Sequence, residues 1–439
     1  MEQKQQETQQ QDLLKTNGLR TAQTGQSHDS KRVEQTTCSI VGGGPAGAIL
    51  ALLLARQGIP VVLLEAHMDF DRDFRGDTIH PAVMEMLDEI GLADRLLQLP
   101  HTKMDRFALM TSRGAIGVGF RHLKTKFPYV TVLPQARFLE FIIDEAKRYP
   151  NFRLILGAQV DELVEEEGQV RGIRYRGQDG WYELRAALTV GADGRFSRLR
   201  KLAGFEPIKT SPPMDILWFH LSRRANDPFE PLGARFGMMR IAVLLDRGDY
   251  WQAGYVIPKG GYQAIRAGGL EHFRQLFADT VPEFADRVGE LKEWKQIAVL
   301  SVESSRLKTW HRPGLLLIGD AAHVMSPVGG VGINYAILDA VAASNVLGPK
   351  LKSGETIQDR DLARVQQQRE LPVKVIQTVQ AVIQDQVLAK ALKVMDSGQA
   401  FQLPLIARLI LGLPGIRSIP PRLMGYGLWP PHVQAGRLS

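Results

Sequence analysis

Three glycine-rich segments of this 439-residue chain carry residue types that bind phosphate and sugar groups. Residues 42–47 read GGGPAG, residues 191–194 read GADG, and residues 319–323 read GDAAH. Glycines let the backbone turn tightly and approach a phosphate, whose charge the free N–H groups at a helix N-terminus can meet. A carboxylate can accept hydrogen bonds from ribose hydroxyls. The three segments therefore predict a site for a dinucleotide.

The first segment has the strand and helix that such a site needs on either side. Residues 37–41 predict a strand, residues 46–56 an apolar helix, and residues 60–65 a second strand. Glu65 closes the second strand 21 residues after Gly44, where an acid accepts ribose hydroxyls and disfavours a 2′-phosphate. A purely structural glycine turn is the alternative, and the context favours dinucleotide binding.

The remaining pattern predicts an α/β protein with an α+β insert: a Rossmann-like dinucleotide-binding domain, an inserted β-sheet substrate domain and a helical C-terminal region. Helices are predicted over residues 81–99 and 137–147, a β-rich block over 215–257 and an apolar strand over 314–320. The predicted parts are a disordered extension (1–36), the dinucleotide-binding domain (37–105, 130–208 and 296–345), the substrate domain (106–129 and 209–295) and the C-terminal region (346–439).

In their order and spacing, the three segments resemble the signature of the class A flavoprotein monooxygenases, the para-hydroxybenzoate hydroxylase-like family. The resemblance extends over about residues 37–345. It implies that FAD is the dinucleotide, that NAD(P)H reduces it, and that a flavin C4a-hydroperoxide then hydroxylates a small, aromatic or polycyclic substrate. It also implies that the ADP half lies on Gly42, Gly44, Pro45, Ala46, Gly47 and Glu65.

The resemblance assigns further cofactor contacts. Arg75 matches the arginine that touches the FAD pyrophosphate, and a guanidinium suits phosphate oxygens. Gln135 or Arg137 reaches the flavin side, with the choice between them open. Asp193 belongs to the Asp-Gly motif, although Asp-Gly is also a common turn. Asp320 accepts the ribityl hydroxyls, with a helix-capping role as the alternative.

A second glycine loop follows Asp320 and opens a helix. Its predicted flavin-ring contacts are Pro327, Gly330, Gly332, Ile333 and Asn334. Backbone N–H groups at a helix N-terminus bring positive potential to the flavin pyrimidine ring, where negative charge accumulates on reduction. The family commonly has Gly-Gln-Gly where this chain has Gly330-Val331-Gly332. His323 is as well explained by packing as by acid-base chemistry, so no catalytic residue is assigned.

The substrate is expected between the flavin and the β-rich insert. Candidate wall residues are Trp218, His220, Tyr250, Trp251 and Tyr255. Because side chains alternate between the two faces of a strand, about half of these belong to the core. The sequence shows no metal cluster and no Ser/His/Asp triad.

Two other functions remain open. A reductase, dehydrogenase or halogenase could share the fold, although the Trp-x-Trp-x-Ile segment usual in halogenases is not seen. A non-enzymatic FAD-binding protein of the membrane surface would draw on residues 401–439, which hold four arginines and no acid. The favoured alternative for this tail is a C-terminal helix covering the flavin domain.

Composition narrows the setting. The net charge is +7, but 54 basic and 47 acidic residues are interleaved, so no nucleic-acid footprint is evident. The single cysteine, Cys38, excludes an intrachain disulfide and indicates a reducing compartment. The start of the chain has no apolar signal-peptide segment, and no run of 18 apolar residues occurs. A cytoplasmic monomer or homodimer acting on a small molecule is expected.

Overall fold

The computed structural model describes residues 32–71, 77–111, 114–227, 234–236, 241–385 and 419–434. Its helices are α1 (Pro45–Arg56), α2 (Pro81–Glu89), α3 (Ala93–Leu96), α4 (Gln135–Lys147), α5 (Arg198–Leu202), α6 (Tyr262–Ala267), α7 (Leu270–Thr280), α8 (Gly332–Ser353), α9 (Asp359–Ile383) and α10 (Ile419–Tyr426). The strands up to the insert are β1 (Arg32–Val41), β2 (Val61–Glu65), β3 (Thr78–Ile79), β4 (Thr102–Met104), β5 (Arg106–Thr111), β6 (Gly114–Gly119), β7 (Val130–Val132), β8 (Phe152–Leu156), β9 (Gln159–Glu166), β10 (Gln169–Gly177) and β11 (Gly180–Gly191). The later strands are β12 (Ile208–Thr210), β13 (Met214–Ser222), β14 (Ala234–Phe236), β15 (Ile241–Asp246), β16 (Tyr250–Pro258), β17 (Ala298–Ser301), β18 (Ser304–Arg306), β19 (His311–Arg312), β20 (Leu315–Leu317) and β21 (His323–Val324).

The predicted dinucleotide-binding domain is confirmed as a sheet of eight strands. Its main path is β19-β20-β11-β1-β2-β8, with β10 and β9 added beside β11. The pairs from β20 to β8 along this path are parallel. All five residues of β2 are buried, as expected for a parallel strand covered on both faces. The helix α1 packs against β2, and α4 and α8 both pack against α1.

The N-terminal boundary is a correction. The strand β1 begins at Arg32 and pairs with β11 along its length, with Arg32 opposite Tyr182. Residues 32–36 therefore belong to the sheet rather than to the extension predicted to be disordered over 1–36. Their polar composition did not predict a strand, because the backbone hydrogen bonds to β11 need no apolar side chains. Residues 1–31 lie outside the described part of the chain.

The predicted β-rich insert forms a second sheet of seven strands in the order β17-β13-β16-β15-β14-β5-β6. The strand β17 (Ala298–Ser301) pairs with β13, so the substrate domain continues past the predicted boundary at residue 295. One face of this sheet packs on α7, with Phe219 and Tyr255 in edge-on contact with Phe273. The other face is directed toward the first domain, as the site below shows.

The helix predicted over residues 81–99 is divided in two. The helix α2 ends at Glu89 and α3 begins at Ala93, because Gly91 between them has φ of +73°. A left-handed residue cannot continue an α-helix, and glycine adopts this conformation without a steric penalty.

The described part of the tail packs on the first domain. The Tyr426 hydroxyl is 2.7 Å from Oε1 of Glu85, and the Val433 N–H donates to Oε2 of Glu89 at 2.8 Å. Residues 419–434 thus cover α2, as expected if the tail packs on the flavin domain. Residues 386–418 and 435–439 lie outside the described part, so membrane contact by the tail stays a prediction.

One helix of the described chain, over Val328–Ser353, is long and apolar enough to span a membrane. In the structure 78% of its most apolar window is buried inside the protein, as in a core helix.

Candidate active site

The glycine turn at residues 42–47 joins the end of β1 to the first turn of α1. Gly42 has φ of +105°, and a Cβ atom there would lie 2.4 Å from the Ala192 carbonyl oxygen. A Cβ atom at Gly47 would lie 2.0 Å from the Gly42 carbonyl oxygen. A Cβ atom at Gly44, in contrast, would meet no described atom within 4 Å. The turn is therefore packed on its protein side and open at Gly44.

The open side of this turn has the chemistry of an anion site. Gly44 is the N-cap of α1, Pro45 follows it, and no described side chain caps the helix. The first N–H groups of a helix have no intrahelical acceptor, and the helix dipole adds positive potential. A pyrophosphate bound there would satisfy both.

Glu65 ends β2 beside this turn and is buried. Its Oε2 accepts a hydrogen bond from the Gly43 N–H at 2.8 Å, and its Oε1 accepts one from the His67 N–H at 3.0 Å. The carboxylate is thus held at the turn, on the strand end where the sequence places a ribose acceptor.

The Asp-Gly motif forms the opposite wall of the turn. Asp193 follows Ala192, and its carboxylate accepts hydrogen bonds from the Ser197 hydroxyl (2.5 Å) and from the N–H groups of Arg198 (2.6 Å) and Leu199 (3.0 Å). Burial raises the pKa of Asp193, with these bonds acting in the opposite sense. The side chain therefore caps α5, in agreement with the turn alternative for this motif, and its effect on a cofactor would be through the backbone of residues 191–193.

Asp320 follows β20 and is partly exposed, between the buried residues Gly319 and Ala321. Asp320 lies inside the short 3-10 helix Gly319–Ala321. The N-cap of that helix is Ile318, so Asp320 does not have the capping role. A Cβ atom at Gly319 would lie 3.1 Å from Ala336 of α8 and 3.2 Å from Ala46 of α1. Asp320 therefore lies where the two helix N-termini converge. Asp320, the glycine turn and the second glycine loop are brought together as predicted.

The second glycine loop is held against β3. The Gly330 carbonyl oxygen accepts hydrogen bonds from the Thr78 hydroxyl (3.0 Å) and from Nδ2 of Asn334 (3.3 Å). Asn334 also binds the β3 segment, with Nδ2 donating to the Thr78 carbonyl (2.9 Å) and Oδ1 accepting from the His80 N–H (2.8 Å). The Asn334 amide thus fixes the loop, which leaves the backbone of residues 327–333 to contact a flavin ring.

The alternatives at residues 135 and 137 differ in burial. Gln135 is buried, and its backbone N–H donates to Oδ1 of Asp77 at 2.9 Å. Arg137, two residues further along α4, is exposed. Gln135 is therefore the one that faces the protein interior. Arg75 falls within residues 72–76, outside the described part of the chain.

The five predicted wall residues divide between the two faces of the second sheet. Trp218 lies across Gly254 and packs in one cluster with Val328 of the second glycine loop. His220 and Tyr250 lie on the same face, with ring centroids 4.5 Å apart. Trp251 and Tyr255 are 0% and 1% exposed on the opposite face. For these two the prediction is corrected: they are core residues, because strand alternation directs them toward α7.

Comparison with known proteins decides the family. A model of the FAD binding domain family matches residues 35–386. The 6-methylpretetramide 4-monooxygenase of Streptomyces rimosus is 34% identical over 396 residues, which is 89% of this chain and 92% of that protein. The para-nitrophenol 4-monooxygenase of a Pseudomonas strain is 25% identical over 335 residues, 73% of this chain and 80% of that protein. The crystal structure of P. aeruginosa PqsL in complex with 2-aminobenzoylacetate has a TM-score of 0.72 at 18% identity, over 83% of this chain and all of that chain.

The chain belongs to the class A FAD-dependent monooxygenases. The predicted fold class, cofactors and enzyme class are thereby confirmed: the protein is an oxidoreductase that uses FAD with NAD(P)H. The geometry above fits that cofactor, because the open face at Gly44, the carboxylates of Glu65 and Asp320, and the loop before α8 lie along one edge of the parallel sheet. This is the edge at which open α/β sheets bind ligands.

A buried ionic cluster behind Asp320 was not recognised in the monooxygenase sequence. Asp339 of α8 accepts hydrogen bonds from the Gly319 N–H (3.0 Å) and from Nε of Arg369 (2.8 Å), and its Oδ2 lies 2.6 Å from Nε2 of His323. Each of the three side chains is at most 1% exposed. The pKa of Asp339 is lowered: burial acts to raise it, and the charges of His323 and Arg369 outweigh that effect. His323 therefore has a buried ionic partner in Asp339.

Another ion pair of the monooxygenase connects the seven-stranded sheet to the segment before β3, a strand of a small sheet with β7 and β4. Arg247, in the hairpin between β15 and β16, pairs with Asp77, which also accepts the Gln135 N–H. Burial lowers the pKa of Arg247 to about 10, so the guanidinium remains charged at neutral pH. Neither partner has a motif around it, so only long-range contacts could identify this link.

Proposed function

We propose that this monooxygenase hydroxylates a small polycyclic aromatic compound of the chemical class of 6-methylpretetramide. The observation that carries the proposal is the 34% identity to the Streptomyces rimosus enzyme over nearly the full length of both chains. Trp218, which packs with Val328 of the second glycine loop, and the ring pair of His220 and Tyr250 on the same sheet face support it, because flat rings stack well on aromatic side chains.

Each part of the site has one proposed task. The glycine turn at 42–47 binds the FAD pyrophosphate, Glu65 the ribose hydroxyls and Asp320 the ribityl hydroxyls. Arg75 contacts the pyrophosphate, Gln135 faces the flavin, and the backbone of residues 327–333 contacts the pyrimidine ring. A bound FAD would supply the redox chemistry, with NAD(P)H as the two-electron reductant and O2 as the oxidant, one of whose atoms enters the substrate while the other leaves as water.

The protein orients the substrate and excludes water. Trp218 is 7% exposed and packs next to Val328, so the part of this face beside the loop is apolar and sheltered from solvent, whereas His220 is exposed. Water exclusion protects reactive intermediates from hydrolysis. We place the enzyme in the cytoplasm, because a chain with a single cysteine forms no intrachain disulfide and is typical of a reducing compartment.

The test uses the purified yellow protein with a panel of phenols, anthraquinones and tetracyclic aromatics. The proposal expects that a tetracyclic compound accelerates NAD(P)H oxidation, consumes O2 and gains one oxygen atom by mass spectrometry. Asp320→Ala should purify with less flavin, whereas the exposed substitution Glu271→Gln should not. Equal turnover without O2 would instead indicate a reductase, and a halide-dependent product a halogenase.

A further inference from the structure

A row of buried glutamines lies on one face of α9 and its C-cap. Gln377, Gln380 and Gln384 are spaced three and four residues apart, which aligns their side chains along a helix. They are 7%, 3% and 4% exposed, although glutamine is usually a surface residue. The face they occupy is directed at the segment that leads into the second glycine loop.

Two of these glutamines bind backbone carbonyl groups. Nε2 of Gln377 donates to the carbonyl oxygens of Ser305 (2.9 Å) and Val324 (3.1 Å). Nε2 of Gln380 donates to the carbonyl oxygens of Ser326 (2.9 Å) and Val328 (2.7 Å), on either side of Pro327. Gln384 differs, because its Nε2 donates to the Ser326 hydroxyl and not to a backbone carbonyl.

The Gln380 amide continues a pattern along the whole loop. The Gly330 carbonyl is bound by Thr78 and Asn334, and the Pro327 carbonyl accepts the Gly330 N–H at 3.0 Å. The carbonyl groups of Ser326, Val328 and Gly330 are therefore directed at side-chain donors of the protein. The N-terminus of α8, with its unpaired N–H groups and no capping side chain from the described residues, supplies positive potential.

We propose that Gln380 is a positioning residue that holds the carbonyl groups of Ser326 and Val328 away from the flavin and so favours the reduced, anionic cofactor. The inference rests on the proposed contact between residues 327–333 and the flavin ring. Oriented dipoles act strongly where water is excluded, and they cost no reorganisation when the charge develops. A carbonyl that rotated toward the ring would oppose that charge.

The orientation of the amide supports a positioning role. Oε1 of Gln380 is buried and has no hydrogen-bond partner among the described residues. An unpaired buried acceptor is unfavourable, which offsets the two donated bonds. The amide thus adds little net stability, and its main consequence is the direction of the two carbonyl groups.

The experiment compares Gln380→Met with two matched glutamine substitutions in the holoenzyme. Gln384→Met removes a buried glutamine that binds only a side chain, and Gln367→Met removes an exposed glutamine of α9. The FAD midpoint potential is measured by reductive titration without substrate. Gln380→Met should favour reduced FAD about tenfold less, a potential about 30 mV more negative for a two-electron couple. The two controls should match the wild type.

Further readouts separate positioning from packing. The variant should retain the wild-type melting temperature of the FAD-free protein and should reduce its flavin more slowly with NAD(P)H. Equal shifts in Gln380→Met and Gln384→Met, or no shift in either, would overturn the proposal. If Gln380→Met fails to fold, Gln380→Leu replaces it. The titration needs no hydroxylation. A wild type that binds FAD but hydroxylates nothing would therefore refute the proposed function, while the midpoint potentials would still test the role of Gln380.

Discussion

The two glycine loops of this enzyme look alike in sequence but are held in different ways. Residues 42–47 lead into the first turn of α1, and residues 327–334 lead into the first turn of α8. The first loop is fixed mainly by close backbone packing, since a Cβ atom would meet the Gly42 carbonyl oxygen at 2.0 Å from Gly47 and the Ala192 carbonyl oxygen at 2.4 Å from Gly42. The second is fixed from a distance by Thr78 and Gln380, which are more than 45 residues away in the chain.

The difference predicts how each loop fails. A loop fixed by close packing of its own backbone should fail through single glycine substitutions and respond little to pH. A loop fixed by polar side chains from other elements should fail through substitutions far away, and it should respond to pH where those elements carry titratable groups. The four predictions below test this contrast, beginning with the largest effect.

The largest effect is expected at Asp339 of α8, the helix that follows the second loop, because Asp339 binds Gly319, His323 and Arg369. Asp339→Asn removes the charge that pairs with Arg369 and His323, both of which would stay buried. Breaking a buried pair in this way costs about 3–5 kcal/mol. Urea denaturation should show that loss, together with lower FAD content. The exposed pair of Glu271 and Arg274 offers a control, since Glu271→Gln should cost about 1 kcal/mol or less.

The second effect concerns pH and His80, which adjoins β3. Nδ1 of His80 donates to the Met424 carbonyl oxygen at 2.7 Å, and burial lowers its pKa from 6.5 to about 4. As pH falls below 6.5, the unfolded chain binds a proton that the folded protein does not, so stability declines from there down to about pH 4. The shift corresponds to about 3 kcal/mol at 1.36 kcal/mol per unit.

Unfolding free energies at pH 7 and pH 4.5 check this expectation. The wild type should lose stability over this interval, and His80→Asn should lose clearly less. An equal decline in both proteins would show that other groups control the acid response.

The contrast between the loops also explains what the sequence could predict. The β-α-β unit, Glu65, Asp320 and both glycine loops follow from local patterns, and the structure brings them to one edge of the sheet. Gln380, Asp339 and the Arg247 to Asp77 pair have no local pattern, because their partners lie far away in the chain. The sequence likewise did not predict which sheet face each wall residue occupies. Trp218 and Trp251 are both tryptophans in predicted strands, and only the pairing of β13 with β16 shows that they lie on opposite faces.

The third prediction returns to the first loop. Gly47→Val places a branched side chain against the Gly42 carbonyl, and overpacking of this kind costs about 2 kcal/mol. The variant should melt at a lower temperature even without FAD and should purify with little flavin. Gly289→Ala is the matched control, since a Cβ atom there meets no described atom within 4 Å. A fully flavinated Gly47→Val protein would show that this turn does not bind the pyrophosphate.

The smallest effect, at Gly44, distinguishes a turn packed for folding from a turn left open for a ligand. Gly44 has φ of −70°, which any residue can adopt, and a Cβ atom there would meet no described atom within 4 Å. Gly44→Ala should therefore cost the FAD-free protein only about 1 kcal/mol, because the methyl group meets no described atom and the remaining cost is that alanine is a poorer N-cap than glycine. The added methyl group would instead occupy the space in which the pyrophosphate approaches the backbone. FAD affinity should fall about tenfold, or about 1.4 kcal/mol, as measured by fluorescence titration of the FAD-free protein. A loss of apoprotein stability as large as that of Gly47→Val would show that both glycines serve folding alone. Unchanged FAD affinity would place the pyrophosphate elsewhere on the edge of the sheet.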